Sequence, residues 1–321
     1  MEQKNNKKKK RFRLYDLFNP EGNGKGVQKL EEGPADLGRF FKLYGRNITN
    51  MLYMNLLMLF GNFPILLGLF SGNFNRTSYS PSSPIFAHLY GMMDHISGAP
   101  AAANPVIAAI FNIHGRQSSI SINTTMTYVF YALTLLVIFT YGPVNIGINY
   151  ICRSIVKCEP VSAFSDFFYA IKKNFKQGLI LGIIDIAFTI LFLYDLYFFI
   201  VCGYQMFFYA MLIIVFGYIM MRFYIYMLAI TFELSIWKII KNSLIFTFIN
   251  IKRNILAFSG ILAMVVIEFI IVTTFFPLSF ALPTILFFST SAFMGAYAAY
   301  PKIKEVMIDP QIKAAGTAKN R

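Results

Sequence analysis

Residues 168–200, FYAIKKNFKQGLILGIIDIAFTILFLYDLYFFI, set three lysines and three aromatic rings directly before an apolar run that begins at Gly178. The run has the length of the roughly 20-residue helix that crosses a hydrocarbon core of about 30 Å. Five more blocks of this kind occur at 48–70, 124–148, 206–230, 255–276 and 278–299. The chain of 321 residues is 56% hydrophobic and only 14% charged, against about 25% charged residues in soluble domains. So few charges cannot cover a water-facing surface, and the expected fold is an all-α integral membrane protein with six transmembrane helices.

The cations fix an orientation. Lys and Arg number 12 in residues 1–47, 2 in 71–123, 5 in 149–177, 4 in 231–254 and 5 in 300–321. Segments between spans therefore alternate between rich and poor, the pattern that arises when cytoplasmic loops keep positive charge. This predicts a multi-pass protein with cytoplasmic N- and C-termini and three helical hairpins whose tips face outward. Its parts are a basic cytoplasmic arm (1–37), a transmembrane domain (38–310) with an outer-face insertion (71–123), and a cytoplasmic tail (311–321). No apolar run follows the basic segment before Met51, so the first span is expected to remain in the mature chain. The run KKKKRFR at 7–13 is expected to meet anionic lipid, because no recognition helix or aromatic platform accompanies it that would favour nucleic acid.

The opening cluster recurs. FKLYGRN (41–47), FYAIKKN (168–174) and FINIKRN (248–254) share F-x-x-x-[GK]-[RK]-N, each ahead of an odd-numbered span. The aromatic rings suit interfacial helices on the cytoplasmic side, and the closing Asn suits a helix cap where the chain turns into the bilayer. Arg46, Lys172, Lys173, Lys176, Lys252 and Arg253 would then form basic elbows, either anchoring the spans to lipid headgroups or receiving an acidic partner.

Ionisable residues at membrane depth are costly and mark candidate sites. Asp185 stands roughly 12 Å past Gln177, and Arg222 roughly 13 Å from Thr231, both measured from the inner side at 1.5 Å per residue. Sharing a depth on neighbouring antiparallel helices, they are expected to pair. Glu268, roughly 21 Å from Asn254, has no evident partner. Asn62, in GNFP (61–64), joins Asp185, Arg222 and Glu268 as a candidate intramembrane polar site, since Gly and Pro can break a span and free backbone groups. Asn55, Asn145 and Asn149 add further amides. Gly178 with Gly182, and the series Ser291, Gly295, Ala299, read as packing faces of small residues.

No catalytic or cofactor-binding set stands out, and no GxSxG, P-loop or HExxH motif is present. His88, His95 and His114 lie with Asp94 in the outer insertion at spacings that match no metal pattern, so no metal site is assigned. The patches 83–93 and 104–113 read as short helices on the outer membrane face. Cys152, Cys158 and Cys202 form no CxxC pair and read as small buried hydrophobes.

The stretch PVSAFSDFFYAIKKNFKQGLILGIID (160–185) resembles the YesL-like family of bacterial integral membrane proteins, whose domain has no known function. GPVNIGINYICRSIVKCEP (142–160), MRFYIYMLAITFELSIWKIIKNSLIF (221–246) and FMGAYAAYPKIKEVMIDP (293–310) are similar to members as well, so the resemblance covers about residues 38–310. It departs at 71–123, where many members have much less chain. The resemblance implies a bacterial inner-membrane location and a setting of sugar import. The expected function is therefore a transport-associated component linked to carbohydrate uptake. Its expected partners are the lipid bilayer and a carbohydrate importer or cytoplasmic protein, with no nucleic acid and no cofactor. A non-transporting scaffold that docks a cytoplasmic partner is the alternative, and a membrane-embedded enzyme comes third.

Overall fold

A computed structural model describes residues 33, 35–81, 117–274 and 287–313. The basic arm up to residue 32, residues 82–116 with His88, Asp94, His95 and His114, the first part of the sixth apolar block and the tail after Lys313 lie outside the described residues. So do the two apolar patches of the insertion.

Helix α1 (Leu37–Arg46) starts at Asp36, whose carboxylate accepts the N–H of Arg39 at 2.7 Å. Asn47 separates it from α2 (Ile48–Gly61), and Asn62 separates α2 from α3 (Phe63–Ser71). These asparagines adopt φ −109°, ψ 20° and φ −103°, ψ 20°. Each donates its side-chain amide to the carbonyl four residues back, Leu43 O and Met58 O, at 3.0 Å. Asn tolerates such corners because its own side chain can satisfy a nearby backbone group. Pro64 fits the first turn of α3, whereas a continuous helix would drive its ring into the carbonyl of Phe60. The first apolar block is consequently a broken helix bent by 55°, at the GNFP stretch whose Gly and Pro can break a span.

A single 3₁₀ turn (Gly72–Phe74) leads to β1 (Arg76–Pro81), which pairs antiparallel with β2 (Gln117–Ile122) from Arg76 opposite Ile122 to Pro81 opposite Gln117. The chain is thus mostly helical but not all-α, and the two strands bring the ends of the insertion side by side. Helix α4 (Thr125–Thr134) is capped by Thr124. The Thr124 hydroxyl also donates to Phe74 O, and Thr127 to the Asn75 side chain, each at 2.8 Å, which ties α4 to the end of α3.

After a short turn comes α5 (Val137–Val156), so the second apolar block runs further than 124–148. Cys158 closes α5 at φ 59°. There the N–H groups of Cys158 and Glu159 reach Ile155 O and Ser154 O, the bond pattern of a left-handed helix end, and Pro160 follows. Helix α6 (Ala163–Val201) is broken at Asn174, with φ −116° and ψ 23°. Its first part buries Ala163, Phe167 and Ala170 and exposes Phe164, Phe168 and Tyr169. This is the amphipathic segment expected before the span. Gly203, at φ 73°, makes the tight turn into α7 (Gln205–Thr231).

Helices α8 (Ile236–Ile249) and α9 (Ile251–Thr274) meet at Asn250, with φ −111° and ψ 30°. The third corner is therefore one helical turn earlier than the Asn254 that the repeat pointed to. The reason is lateral bonding: the Asn250 amide donates to Tyr224 OH at 2.8 Å and to Ala298 O at 2.9 Å, on neighbouring helices. Asn254 instead sits inside α9, fully buried, accepting from Tyr224 OH at 2.7 Å. Helix α10 (Phe288–Ile303) ends the main bundle and runs into a π-type turn, Lys304–Ile308.

The tightest crossing joins α5 to α6. A Cβ built on Gly142 would stand 2.0 Å from Gly178 O, and one on Gly182 would stand 2.4 Å from the Gly142 Cα. Only glycine allows backbones to approach so closely, as expected for small-residue packing between apolar helices. Gly295 likewise makes room for the Phe223 ring. Of the cysteines, Cys152 alone is buried; Cys158 is half-buried at its turn and Cys202 is exposed beside Gly203, because both occupy helix ends rather than helix faces.

Four helices among the described residues are long and apolar enough to cross a membrane: Thr125–Val156, Ala163–Val201, Gln205–Thr231 and Ile251–Ile271. The bent pair α2 and α3 makes a fifth if counted as one span. Only 17% of the most apolar window of α6 is buried within the protein, and 6% of that of α9. Such extended apolar surface would aggregate in water, and a bilayer covers it. These are the features of a helical membrane protein.

Candidate functional site

Two helices carry polar residues four apart, which places each set on one helical face, and a third adds a carboxylate. Helix α5 presents Tyr141, Asn145 and Asn149, α7 presents Tyr218, Arg222 and Tyr226, and α6 contributes Asp185. Asp185 is 1% exposed. Arg222 Nε lies 3.0 Å from its Oδ1 and 3.1 Å from its Oδ2. The expected pair therefore forms.

The carboxylate has two further donors, Tyr218 OH to Oδ1 at 2.5 Å and Tyr226 OH to Oδ2 at 2.8 Å. A buried carboxylate is tolerable only when such bonds replace its hydration. Arg222 Nη2 donates to Tyr141 OH, which binds α7 to α5 as Asp185 binds it to α6. The tyrosines were not singled out in the sequence, where they look like the other aromatic residues of apolar helices. The four-residue spacing of Tyr218, Arg222 and Tyr226 is the signal that marks them.

On the other side of Arg222 lies a cavity of about 510 Å³. It is walled by α2 and α3 at their break, by α5, α7 and α10, and by Ile261 of α9. Most of its wall is apolar, and its polar groups are few: Arg222, Tyr141, Tyr226, Asn62, Asn145, Asn149 and Ser291. This is the composition of a small-molecule site, an apolar concavity with a handful of orienting polar groups.

Each of the three asparagines is held by a hydrogen bond to its own helix. Asn62 Nδ2 donates to Met58 O at 3.0 Å, Asn145 Nδ2 to Tyr141 O at 2.8 Å and Asn149 Nδ2 to Asn145 O at 2.9 Å. Each amide thus commits one of its two N–H groups to its own helix, which orients the side chain and leaves the Oδ1 acceptor open to a ligand. Asn62 Oδ1 is buried without a hydrogen-bond partner among the described residues.

The other expected sites fall elsewhere. Glu268 does not line the cavity; its Oε1 is buried in α9 with no partner among the described residues. Arg46, Lys172, Lys173, Lys176, Lys252 and Arg253 are all exposed around the Asn47, Asn174 and Asn250 corners, and none forms an ion pair among the described residues. Arg153, which the sequence reading passed over, donates from Nη1 to Ile230 O at 2.6 Å and closes the end of α7, a favourable place for a cation at a helix C-terminus.

No curated protein and no solved structure matches the chain. A family described as a protein of unknown function, DUF624, matches residues 122–196. That segment comprises α4, α5 and most of α6. It holds Tyr141, Asn145, Asn149 and Asp185, whereas Arg222 and Asn62 lie outside it.

Proposed function

We propose that the chain is a YesL-like bacterial cell-membrane protein that binds a small polar solute within the bilayer and serves carbohydrate uptake. In this reading the apolar blocks form six spans in three hairpins with both termini cytoplasmic, and the insertion 71–123 faces outward. The observation that carries it is the cavity of about 510 Å³ with Arg222 and three asparagine acceptors on a mostly apolar wall. Polar groups at membrane depth are expensive unless they serve a solute or a structural bond. The bond from Arg222 to Asp185 explains one edge of the guanidinium, and the remaining lining is left for a ligand.

The test is sugar uptake into reconstituted vesicles, comparing the native chain with the double variant Asp185→Asn, Arg222→Gln. That variant removes both charges together, so no lone charge is stranded in the interior. Uptake should fall at least tenfold while the protein still elutes as a folded species. Full uptake by the double variant would contradict the proposal.

A second reading draws on the exposed lysines 172, 173 and 176, which form no ion pair among the described residues: a docking rim for an acidic cytoplasmic protein of an importer. Reversing these charges should then release a co-purifying partner without changing membrane insertion. A loss of insertion alone would reduce the elbows to anchors.

A further inference from the structure

The chemistry of the cavity wall narrows the ligand further, given that the cavity is a solute site as proposed above. Among the described residues Arg222 is the only Lys or Arg in the lining, and no Asp or Glu lines it. Its Nε is engaged by Asp185 and its Nη2 by Tyr141, while Nη1 donates to nothing among the described residues, in a side chain 31% exposed. Asp185 is not part of the cavity lining among the described residues, and its carboxylate also accepts from the hydroxyls of Tyr218 and Tyr226. The guanidinium is consequently not the sole compensator of that carboxylate and keeps attraction to spare for an anion.

Facing this one cation are acceptors. Asn62, Asn145 and Asn149 each give one N–H of the side-chain amide to a backbone carbonyl, which fixes the amide on its own helix and leaves the Oδ1 acceptor for a ligand donor. The buried Asn62 Oδ1 has no hydrogen-bond partner among the described residues, a cost that a ligand hydroxyl would remove. The break at Asn62 also starts α3 at the cavity wall, where a helix N-terminus favours negative charge.

We infer that the cavity binds a small hydroxylated monoanion of the sugar-acid type, its carboxylate on Arg222 and its hydroxyls on the three asparagine oxygens. A neutral sugar lacks the anion. A simple carboxylate lacks the donors. A volume of about 510 Å³ holds a single ring with room for water, within the ~300–1,000 Å³ usual for small-molecule sites.

The test is equilibrium binding by calorimetry to the full-length protein in phosphatidylcholine nanodiscs, with glucuronate, glucose and propionate as probes. Glucuronate should bind at least tenfold more tightly than either of the others. Asn149→Leu, which leaves the Asp185 pair intact, should weaken glucuronate at least fivefold and leave propionate unchanged. Equal binding of glucose and glucuronate would overturn the anionic ligand while leaving the solute site standing. Equal binding of propionate and glucuronate would overturn the hydroxyl contacts. Binding of none of the three would overturn both this inference and the solute site on which it rests. Because a phosphatidylglycerol headgroup is also a hydroxylated anion, the titration is repeated in bilayers containing that lipid. Unchanged glucuronate affinity supports a soluble ligand, and loss of binding would reassign the site to lipid and overturn the sugar acid.

Discussion

Asp185 accepts hydrogen bonds from three side chains on α7, and that makes it the residue on which the polar interior depends. Asp185→Ala would strand the Arg222 guanidinium at membrane depth, at a cost of about 3–5 kcal/mol. Tyr226→Phe removes one hydroxyl donor to a charged acceptor and should cost about 1.5–3 kcal/mol. Reversible unfolding in mixed micelles measures both, and equal small losses would mean that the carboxylate is solvated rather than held. Depth counted from the span ends was enough to bring Asp185 and Arg222 together from sequence. It could not reveal that Tyr141, Tyr218 and Tyr226 complete the cluster, because an aromatic residue on an apolar helix looks the same whether its hydroxyl is bonded or lipid-facing. Nor could it exclude Glu268 from the cavity, since depth alone says nothing of which way a helix face turns.

Helices α5 and α6 are fixed by glycine contact, and the Asp185 cluster sits one helical turn beyond Gly182 on the same helix. Gly182→Val places carbon atoms where the Gly142 backbone already lies, so the helices must separate. Overpacking of this kind typically costs about 1–3 kcal/mol, and here the obstructing atoms are backbone, which cannot rotate aside. The variant should lose the Asp185–Arg222 pairing together with stability, seen as a cross-linking yield between cysteines on α5 and α6 that falls sharply. An unchanged yield would mean that the crossing is looser than described. The elements themselves were largely legible, because long apolar runs and basic flanks leave little choice. The corners were less so: FINIKRN contains two asparagines, and only bonds from Asn250 to α7 and α10 decide which one turns. The strands β1 and β2 gave no membrane signal and were passed over, since short Ser- and Thr-rich segments pair only when the fold brings them together.

Across the whole molecule, the charge pattern predicts that the tip between α6 and α7 faces outward and the three basic corners face inward. Cys202 is exposed at that tip. In intact cells a membrane-impermeant maleimide should label Cys202, while cysteines placed at Lys172 or Lys252 react only after the membrane is opened. The reverse order would invert the topology. The cavity that Arg222 lines lies between the broken α2 and α3 and the face of α10 that carries Ser291.

The function proposed here rests on that cavity being open to water and occupied by solute. The measurement is the rate at which a small charged thiol reagent modifies Ser291→Cys, with the native cysteines replaced and sugar or sugar acid present or absent. Ser291 lines the cavity and its hydroxyl bonds only to Phe287 O among the described residues, so the exchange of oxygen for sulfur disturbs little. The expected result is ready modification that slows at least fivefold when glucuronate is added. A thiol that never reacts, or one whose rate no solute changes, would contradict a solute-binding cavity at this place in the protein.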